Sequence, residues 1–323
     1  MNWVSRQLQA SGSHLDRIDA LRVEASNRCF YRINTDGANL VLMTSPPALE
    51  RNEQFVALAE LFAAHAIPVP KVVARNFEQG WFLMSDLGRV HLEEAYATDA
   101  REPSIKAAID TLAILGEVRD PRIEPYDADR LNMELDIFTE WFVGNLLQQD
   151  ALMGATEAPF ATLVEAAEAQ PRSCVHRDYH CRNLLYNDGA LGIVDFQDAL
   201  HGPVLYDLAS LLRDCYYTFD ESEIDRWLNY FVAITPSLGG QQPATIKRWF
   251  DFTAVQRQLK AIGIFARLHL RDAKSSHLTH IRPVLDRLIQ LTGIYPELQQ
   301  LSVQLSRCAK PATQALEALG LDT

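Results

Sequence analysis

Two short stretches constrain this chain more than any other part of its sequence: residues 175–183 (VHRDYHCRN) and residues 193–197 (IVDFQ). They place a carboxylate at Asp178, an amide at Asn183 and a second carboxylate at Asp195. Apolar residues on both sides of an intervening Asn-Asp-Gly turn predict a short β-hairpin. Because the strands of a hairpin run side by side, we expect Asn183 and Asp195 to lie close together.

These residue types in this order indicate phosphoryl transfer from a nucleotide. That reaction needs a group that orients and deprotonates the attacking hydroxyl, and oxygen ligands for a magnesium ion. We expect Asp178 to be the catalytic base, and Asn183 and Asp195 to bind Mg²⁺ at the phosphates of ATP. A loop aspartate taken alone is more often a turn or a helix cap. The prediction therefore depends on the spacing of all three residues.

Other polar residues near these stretches have structural readings that compete with functional ones. We expect His176 to shape the loop through backbone hydrogen bonds, and Asp207 to cap a helix or to brace the same loop. Asp198 is a candidate for contact with substrate or metal, although a role in a turn is an equal alternative. Gln197 stands where protein kinases have glycine, so their movable activation switch is not expected.

Composition narrows the class of protein. A chain of 323 residues is long enough for two domains, and no run of about 18 apolar residues predicts a membrane span. The 42 acidic residues outnumber the 30 basic ones, and a net charge of −12 disfavours nucleic acid and anionic membranes as partners. The N-terminus lacks the apolar core of a signal peptide. Five cysteines, odd in number and without paired close spacing, favour reduced thiols. We expect a cytoplasmic monomer.

The order of predicted elements indicates an α+β, bilobal, protein-kinase-like fold. Residues 1–86 are predicted as a nucleotide-binding lobe with a small antiparallel sheet and one main helix, and residues 87–323 as a larger, mostly helical lobe. In the first lobe, strands are predicted at 22–33, 39–44, 72–74 and 81–84, with the helix around Phe55 to Phe62. Helices are predicted in the second lobe near 104–119, 129–149, 157–169, 204–217, 221–234, 243–271 and 277–292, with one more after 295.

No glycine-rich phosphate-binding sequence is present, so the nucleotide contacts must be of another kind. The small and polar residues of the first turn would let backbone N–H groups and a hydroxyl approach the phosphates, with nearby arginines supplying charge. At the junction of the lobes, backbone groups could bind adenine. The candidates are Ser26, Asn27, Arg28, Arg32, Met84 and Asp86. A polar hairpin with solvent-facing arginines, followed by a simple linker, is the competing interpretation.

The third predicted strand carries Met43 where kinases have a lysine that contacts the phosphates. Without that cation, the phosphates must be neutralised by Mg²⁺ and by Arg28 or Arg32. Glu53, near the start of the next helix, would also lack its lysine partner and could pair with an arginine. Met43 therefore favours a nucleotide-binding pseudokinase as an alternative, against which stands the intact set of Asp178, Asn183 and Asp195.

The chain resembles the aminoglycoside phosphotransferase and choline kinase superfamily over nearly its full length. The stretches HRDYHCRNL at 176–184, DFQDA at 195–199, HGP at 201–203 and YDLASLLRD at 206–214 resemble more narrowly the bacterial anomeric kinases for N-acetylmuramate and N-acetylglucosamine. That resemblance implies ATP-dependent phosphorylation of a C1 hydroxyl to a sugar 1-phosphate in peptidoglycan recycling. It also implies that Met43 is a family trait.

An amino-sugar acceptor requires groups for its hydroxyls or for a lactyl carboxylate. The candidates are Asp198, Arg213, Asp214, Arg257 and Lys260. Each of these charges could instead lie on a helix surface. A kinase for aminoglycosides or another small alcohol remains an alternative, although polycationic aminoglycosides need an acidic site, which basic candidates disfavour.

Overall fold

The computed structural model describes residues 2–10, 12–21, 27–149 and 156–321. The chain forms two compact units. The first comprises Met1–Arg122 and Cys181–Ala199, and the second comprises Ile123–His180 and Leu200–Thr323. The first unit contains an antiparallel sheet and the second is mostly helical, which confirms the expected α+β class.

The sheet of the first unit has five strands: β1 (Leu15–Ala20), β2 (Cys29–Thr35), β3 (Leu40–Thr44), β4 (Val72–Asn76) and β5 (Trp81–Ser85). All neighbours are antiparallel, in the order β1-β2-β3-β5-β4. Helix α1 (Asn2–Ala10) packs Val4 and Leu8 against Ile33 and Leu83 of the sheet. Helix α2 (Asn52–Ala64) buries Phe55 and Phe62 among its apolar positions.

Most of the predicted elements of this unit are confirmed. The strands expected at 39–44, 72–74 and 81–84 and the helix around Phe55 are present. The strand expected at 22–33 is β2, which begins only at Cys29. Helix α1 and strand β1 were not predicted, because short amphipathic segments with few apolar residues give a weak periodic signal.

The hairpin predicted from the Asn-Asp-Gly turn is also present. Strands β7 (Leu184–Asn187) and β8 (Ala190–Ile193) pair antiparallel, with Asn187 opposite Ala190. The two turn residues, Asp188 and Gly189, have φ values of 51° and 82°. These are the left-handed conformations that a tight two-residue hairpin turn requires.

The hairpin is tied to the sheet-containing unit by side-chain and backbone contacts. The Asn187 amide oxygen accepts hydrogen bonds from the backbone N–H groups of Arg89 (2.9 Å) and Val90 (3.1 Å), and its nitrogen donates to the Leu87 carbonyl (3.1 Å). Beyond the hairpin, the ring of Phe196 stacks on Phe55 at 5.2 Å. Residues 87–122, with helices α3 (Leu92–Ala95) and α4 (Arg101–Gly116), belong to this unit too. The compact units therefore divide the chain differently from the expected boundary after residue 86.

Helices make up most of the second unit. They are α5 (Ala128–Ile137), a π-helix (Phe138–Leu146), α6 (Glu157–Glu168), α7 (Tyr206–Leu212), α8 (Glu221–Ile234), α9 (Pro243–Asp272), α10 (Ile281–Ile294) and α11 (Gln299–Ala318). A two-stranded sheet of β6 (Arg172–Val175) and β9 (Leu200–Pro203) completes the unit. The helix predicted over 129–149 is thus α5 continued by the π-helix, and that predicted over 204–217 ends at Leu212.

Helix α9 is 30 residues long and lies at the centre of this unit, with most of its middle turns buried. A Cβ atom at Gly263 would lie 2.5 Å from the carbonyl oxygen of Ile137, so only glycine fits at this crossing. In the portion of the chain that the structure describes, no helix is long and apolar enough to cross a membrane.

Candidate active site

A braced loop after β6 holds Asp178. The carboxylate of Asp207, in the first turn of α7, accepts hydrogen bonds from the backbone N–H groups of His176 (2.5 Å) and Arg177 (2.9 Å). The Asp178 N–H in turn donates to Nδ1 of the buried His176 at 3.3 Å. Arg177 has a φ of 77°, a strained conformation that these contacts stabilise. The structural readings of His176 and Asp207 are confirmed, with Asp207 bracing the loop and no side-chain cap on α7.

Asp178 is surrounded by cations of the second unit. Burial opposes its ionisation, but Lys260 and Arg257 outweigh that effect, and the pKa of Asp178 falls well below its ordinary value. His180, two residues further on, has its pKa lowered to about 4, chiefly by burial. At neutral pH this part of the site therefore holds an ionised aspartate beside a neutral imidazole.

Glu134, which was not predicted from the sequence, pairs with two of those cations. This carboxylate of α5 is 5% exposed and accepts hydrogen bonds from Arg177 Nη2 (2.6 Å), Lys260 Nζ (2.9 Å), Gln256 Nε2 (3.2 Å) and the Tyr126 hydroxyl. Burial resists its charge, but Lys260 and Arg177 lower the pKa of Glu134 to about 2. Lys260, expected at the substrate, is thus already paired with a buried carboxylate.

The two expected metal ligands lie together in the first unit, at the open end of the hairpin. Asn183 Nδ2 is 3.5 Å from Asp195 Oδ2, and the Val194 N–H donates to the Asn183 carbonyl at 3.0 Å. Asp195 is exposed and has a φ of 64°, while Gln197 Nε2 donates to its Oδ1 at 2.8 Å. An amide oxygen and an exposed carboxylate are the hard oxygen donors that Mg²⁺ prefers, so these residues fit that ion. Asp198 is exposed and lies 3.5 Å from the same Gln197 nitrogen.

Arg28 is buried against α2 and not solvent-facing. Its Nη2 lies 3.1 Å from Glu50 Oε2, and its guanidinium lies 5.4 Å from the centre of the Phe55 ring. Asn27 donates to the other oxygen of Glu50 at 3.3 Å. The carboxylate that pairs with this arginine is therefore Glu50, while Glu53 is exposed. Ser26, the other residue expected in this turn, lies outside the described residues.

Arg32 and Asp86, both expected at the nucleotide, bind each other. Arg32 Nε and Nη2 donate to the two Asp86 oxygens at 2.6 and 3.1 Å, and Nη2 also donates to the Gly88 carbonyl at 2.6 Å. Met84 is buried in β5, paired with β3 on one side and β4 on the other. Met43 is fully buried in β3 between Phe30 and Phe82. This position therefore supplies no positive charge in place of the lysine found in kinases.

The remaining acceptor candidates differ in their environments. Arg213 donates to Glu221 at 2.7 and 2.9 Å and to Asp251 at 2.9 Å, so its charge is balanced within the unit. Asp214 is buried and accepts a hydrogen bond from the Tyr216 N–H at 2.9 Å. Arg257 is 5% exposed, and its Nε has no hydrogen-bond partner.

An aromatic and histidine cluster next to Asp214 was not expected from the sequence. The ring of Tyr216 lies edge-on to His180 (5.1 Å) and to His280 (5.0 Å), and Phe265 stacks on His277 at 5.4 Å. These residues come from three separate parts of the chain, and only His180 lies near a recognisable motif. Spacing in the sequence therefore could not bring them together.

Comparisons with known proteins agree with this arrangement. The family model described as "Phosphotransferase enzyme family" matches residues 17–235. An N-acetylmuramate/N-acetylglucosamine kinase of Pseudomonas putida is 33% identical over 291 residues, covering 88% of this chain and 86% of that protein. The kinase of the same name from Pseudomonas aeruginosa is 35% identical with the same coverage.

Solved structures show the same fold at low sequence identity. A choline/ethanolamine kinase family protein from Mesorhizobium loti has a TM-score of 0.65 and 16% identity, covering 89% of this chain and 92% of its own. ADP-bound aminoglycoside phosphotransferase APH(2'')-Ib has a TM-score of 0.58 and 13% identity, covering 94% and 97%. These likenesses confirm the expected kinase-like fold.

Proposed function

Because this chain belongs to the phosphotransferase enzyme family, we propose that it transfers a phosphoryl group from ATP to the C1 hydroxyl of N-acetylmuramate or N-acetylglucosamine. The observation that carries the proposal is the braced Asp178, ionised and set beside buried cations in the second unit. The choice of sugar is supported by relatives named N-acetylmuramate/N-acetylglucosamine kinase at 33 and 35% identity. The product would be a sugar 1-phosphate, which supports a role in reusing cell-wall sugars.

In the proposed reaction, Asp178 accepts a hydrogen bond from the sugar hydroxyl, directs its lone pair at phosphorus and takes the proton as the new bond forms. Asn183 and Asp195 would hold Mg²⁺, which supplies positive charge to the β- and γ-phosphates. Gln197, through its hydrogen bond to Asp195, orients that carboxylate. The brace from Asp207 keeps the Asp178 loop in one conformation, so little reorganisation is needed at the moment of transfer.

We assign nucleotide binding to the sheet-containing unit, with Ser26, Asn27, Arg28, Arg32, Met84 and Asp86 as the proposed contacts. Arg28 is supported by its position beside α2, where its pair with Glu50 would take the place of a lysine–glutamate pair. Arg32 and Asp86 would contact the nucleotide as an ion pair, since they already bind each other. We further propose that the protein is a cytoplasmic monomer, in keeping with its free cysteines.

A substrate panel with product analysis tests the proposal. The protein, ATP and Mg²⁺ are incubated in parallel with N-acetylmuramate, N-acetylglucosamine and kanamycin, and the product is identified by phosphorus NMR. We expect a sugar 1-phosphate from at least one amino sugar, and none from Asp178→Asn. Turnover of kanamycin alone would assign an aminoglycoside kinase, and ATP binding without turnover of any alcohol would assign a pseudokinase, as Met43 suggests.

A further inference from the structure

Arg257 is a buried cation without an ionic partner. It lies in the middle of α9 and is 5% exposed, its Nε makes no hydrogen bond, and among the described residues it forms no ion pair. An unpaired charge in a protein interior is costly, because its lost hydration is not replaced. Buried charged groups in unusual environments are concentrated at functional sites, so Arg257 is a candidate for contact with a ligand.

Several other buried or half-buried arginines and lysines of this protein show what Arg257 lacks. Each of them lies within ion-pair distance of a carboxylate on another part of the chain. These pairs are Arg28 with Glu50, Arg32 with Asp86, Arg213 with Asp251, and Lys260 with Glu134. Among the carboxylates, Asp178 and Asp214 have the largest electrostatic effect on Arg257. Both belong to the candidate acceptor region.

Arg287 of α10 is a second cation in the same region. Its Nη1 donates to the Thr218 hydroxyl at 2.8 Å and its Nη2 to the Asp214 carbonyl at 3.1 Å, and it forms no ion pair with any carboxylate in the described ranges. Both arginines act on the buried thiol of Cys215. Two positive charges that form no ion pair within the described residues therefore approach the same segment, residues 214–218, from two helices.

The same segment carries an aromatic ring that suits a sugar. Tyr216 is partly exposed, with its ring against His180 and His280. His180 follows Asp178 by two residues, so the ring and the catalytic carboxylate share one part of the second unit. A partly apolar surface with a few convergent charges is the usual form of a small-molecule site.

We propose that Arg257 and Arg287 bind a carboxylate carried by the acceptor, so that the enzyme prefers an amino sugar bearing a lactyl ether to its neutral counterpart. This inference rests on the proposed function and names the residues that set its specificity. Guanidinium groups match a carboxylate in charge and in hydrogen-bond geometry. The neutral sugar would leave both guanidinium groups without an ion pair and would bind through its hydroxyls and N-acetyl group alone.

The test compares two sugars that differ only in the lactyl group. KM and kcat are measured for N-acetylmuramate and N-acetylglucosamine with the wild type, Arg257→Gln and Arg287→Gln at saturating ATP. KM for ATP is then measured for the same proteins at saturating sugar. We expect each substitution to raise KM for N-acetylmuramate by about 10- to 100-fold more than KM for N-acetylglucosamine, as for a lost charge-assisted contact. Because Arg257 also helps to keep Asp178 ionised, Arg257→Gln should lower kcat for both sugars alike. Arg257→Lys should recover part of the loss.

Arg267→Gln is the matched control, since Arg267 lies on the same helix and its Nε is also without a partner. Ten residues separate it from Arg257, about 15 Å along the helix, and we expect neither KM to change. Melting temperatures report on folding: loss of an unpaired buried charge should leave the Tm of Arg257→Gln unchanged or raised. If that variant nevertheless fails to fold, the more exposed Arg287→Gln decides the question.

Equal rises in KM for both sugars in Arg257→Gln and Arg287→Gln would overturn the inference while leaving the proposed function intact. A raised KM for ATP with both sugars would assign the cations to nucleotide phosphates, and would also overturn it. A wild type that phosphorylates neither sugar would instead contradict the proposed function itself.

Discussion

The charge on Asp178 is maintained at neutral pH by its neighbours. Burial alone would favour the neutral acid, but Lys260 and Arg257 lower its pKa far enough that the carboxylate persists. An aspartate that binds a proton so weakly is suited to a loose transition state, in which it orients the hydroxyl and accepts the proton late. Any loss of activity in mild acid should therefore come from other groups.

At Asp195, replacement by asparagine should separate metal binding from folding. Asparagine tolerates the left-handed conformation that Asp195 adopts at φ 64°, and the residue is exposed, so the melting temperature should not change. We expect kcat to fall roughly 100-fold, as for loss of a transition-state electrostatic contact, and the Mg²⁺ concentration for half-maximal activity to rise. A magnesium titration of ATP turnover measures both. Asp188→Asn, in the exposed hairpin turn, is the control and should match the wild type.

At Glu134, replacement by glutamine should destabilise the second unit. The change leaves Arg177 and Lys260 buried without their carboxylate, and breaking a buried ion pair costs about 3–5 kcal/mol. Urea denaturation gives the free energy of unfolding. Glu124→Gln is the control, because Glu124 pairs with Arg130 at the surface and such pairs contribute about 1 kcal/mol or less. Equal losses in both variants would contradict the structural role assigned to Glu134.

Among the secondary-structure elements, the contact of α9 with α5 and the π-helix depends on one glycine. Gly263→Ala would place a methyl group 2.5 Å from the Ile137 carbonyl oxygen, and we expect a loss of about 1–3 kcal/mol, as for other overpacked sites. The matched control is Gly293→Ala in α10, where the nearest atom is the Ser302 hydroxyl at an ordinary 3.5 Å. There the higher helix propensity of alanine should add up to about 1 kcal/mol. Thermal unfolding of the two variants should shift in opposite directions.

Elements formed by local sequence were predictable, and those formed by distant partners were not. The hairpin of β7 and β8 follows from a turn sequence and two short apolar runs, and it brings Asn183 to Asp195 as expected. By contrast, Glu134 receives donors from residues 8, 43 and 122 positions away. Nothing in the local pattern of α5 marks that glutamate as buried, so only the tertiary fold reveals it.

Over the whole molecule, stability should decline as the solution becomes mildly acidic. The folded protein holds the pKa of His180 at about 4, below the ordinary value of about 6.5, so the unfolded chain binds a proton first as pH falls. The resulting loss runs from about pH 6.5 down to about pH 4 and amounts to ~3 kcal/mol. The pKa of Glu134, lowered to about 2, extends the loss below pH 4.5.

Denaturation at a series of pH values tests this expectation. His180→Asn should flatten the decline between pH 6.5 and 4, whereas His14→Asn, at a side chain that is 81% exposed, should not alter it. A decline of unchanged slope in His180→Asn would show that other groups are responsible.

The boundary between the two units was only partly predictable from the sequence. The change from strands to helices is visible in the periodicity, and it placed an expected boundary after residue 86. The compact first unit also contains residues 181–199, which are distant in sequence from the rest of it. Contacts such as the hydrogen bonds of Asn187 with the backbone near Gly88 hold them there. Composition and periodicity along the chain do not indicate which distant segments will pack together.

Met43 has a consequence for how this protein would be detected in a mixture. Reagents that identify nucleotide-binding proteins commonly acylate a lysine held beside the phosphates, and β3 offers them only a buried thioether. The lysines of the first unit are Lys71 and Lys106, outside that strand and partly or fully exposed. With the nucleotide bound at the proposed site, labelling of lysine by ATP analogues should therefore be weak in this protein.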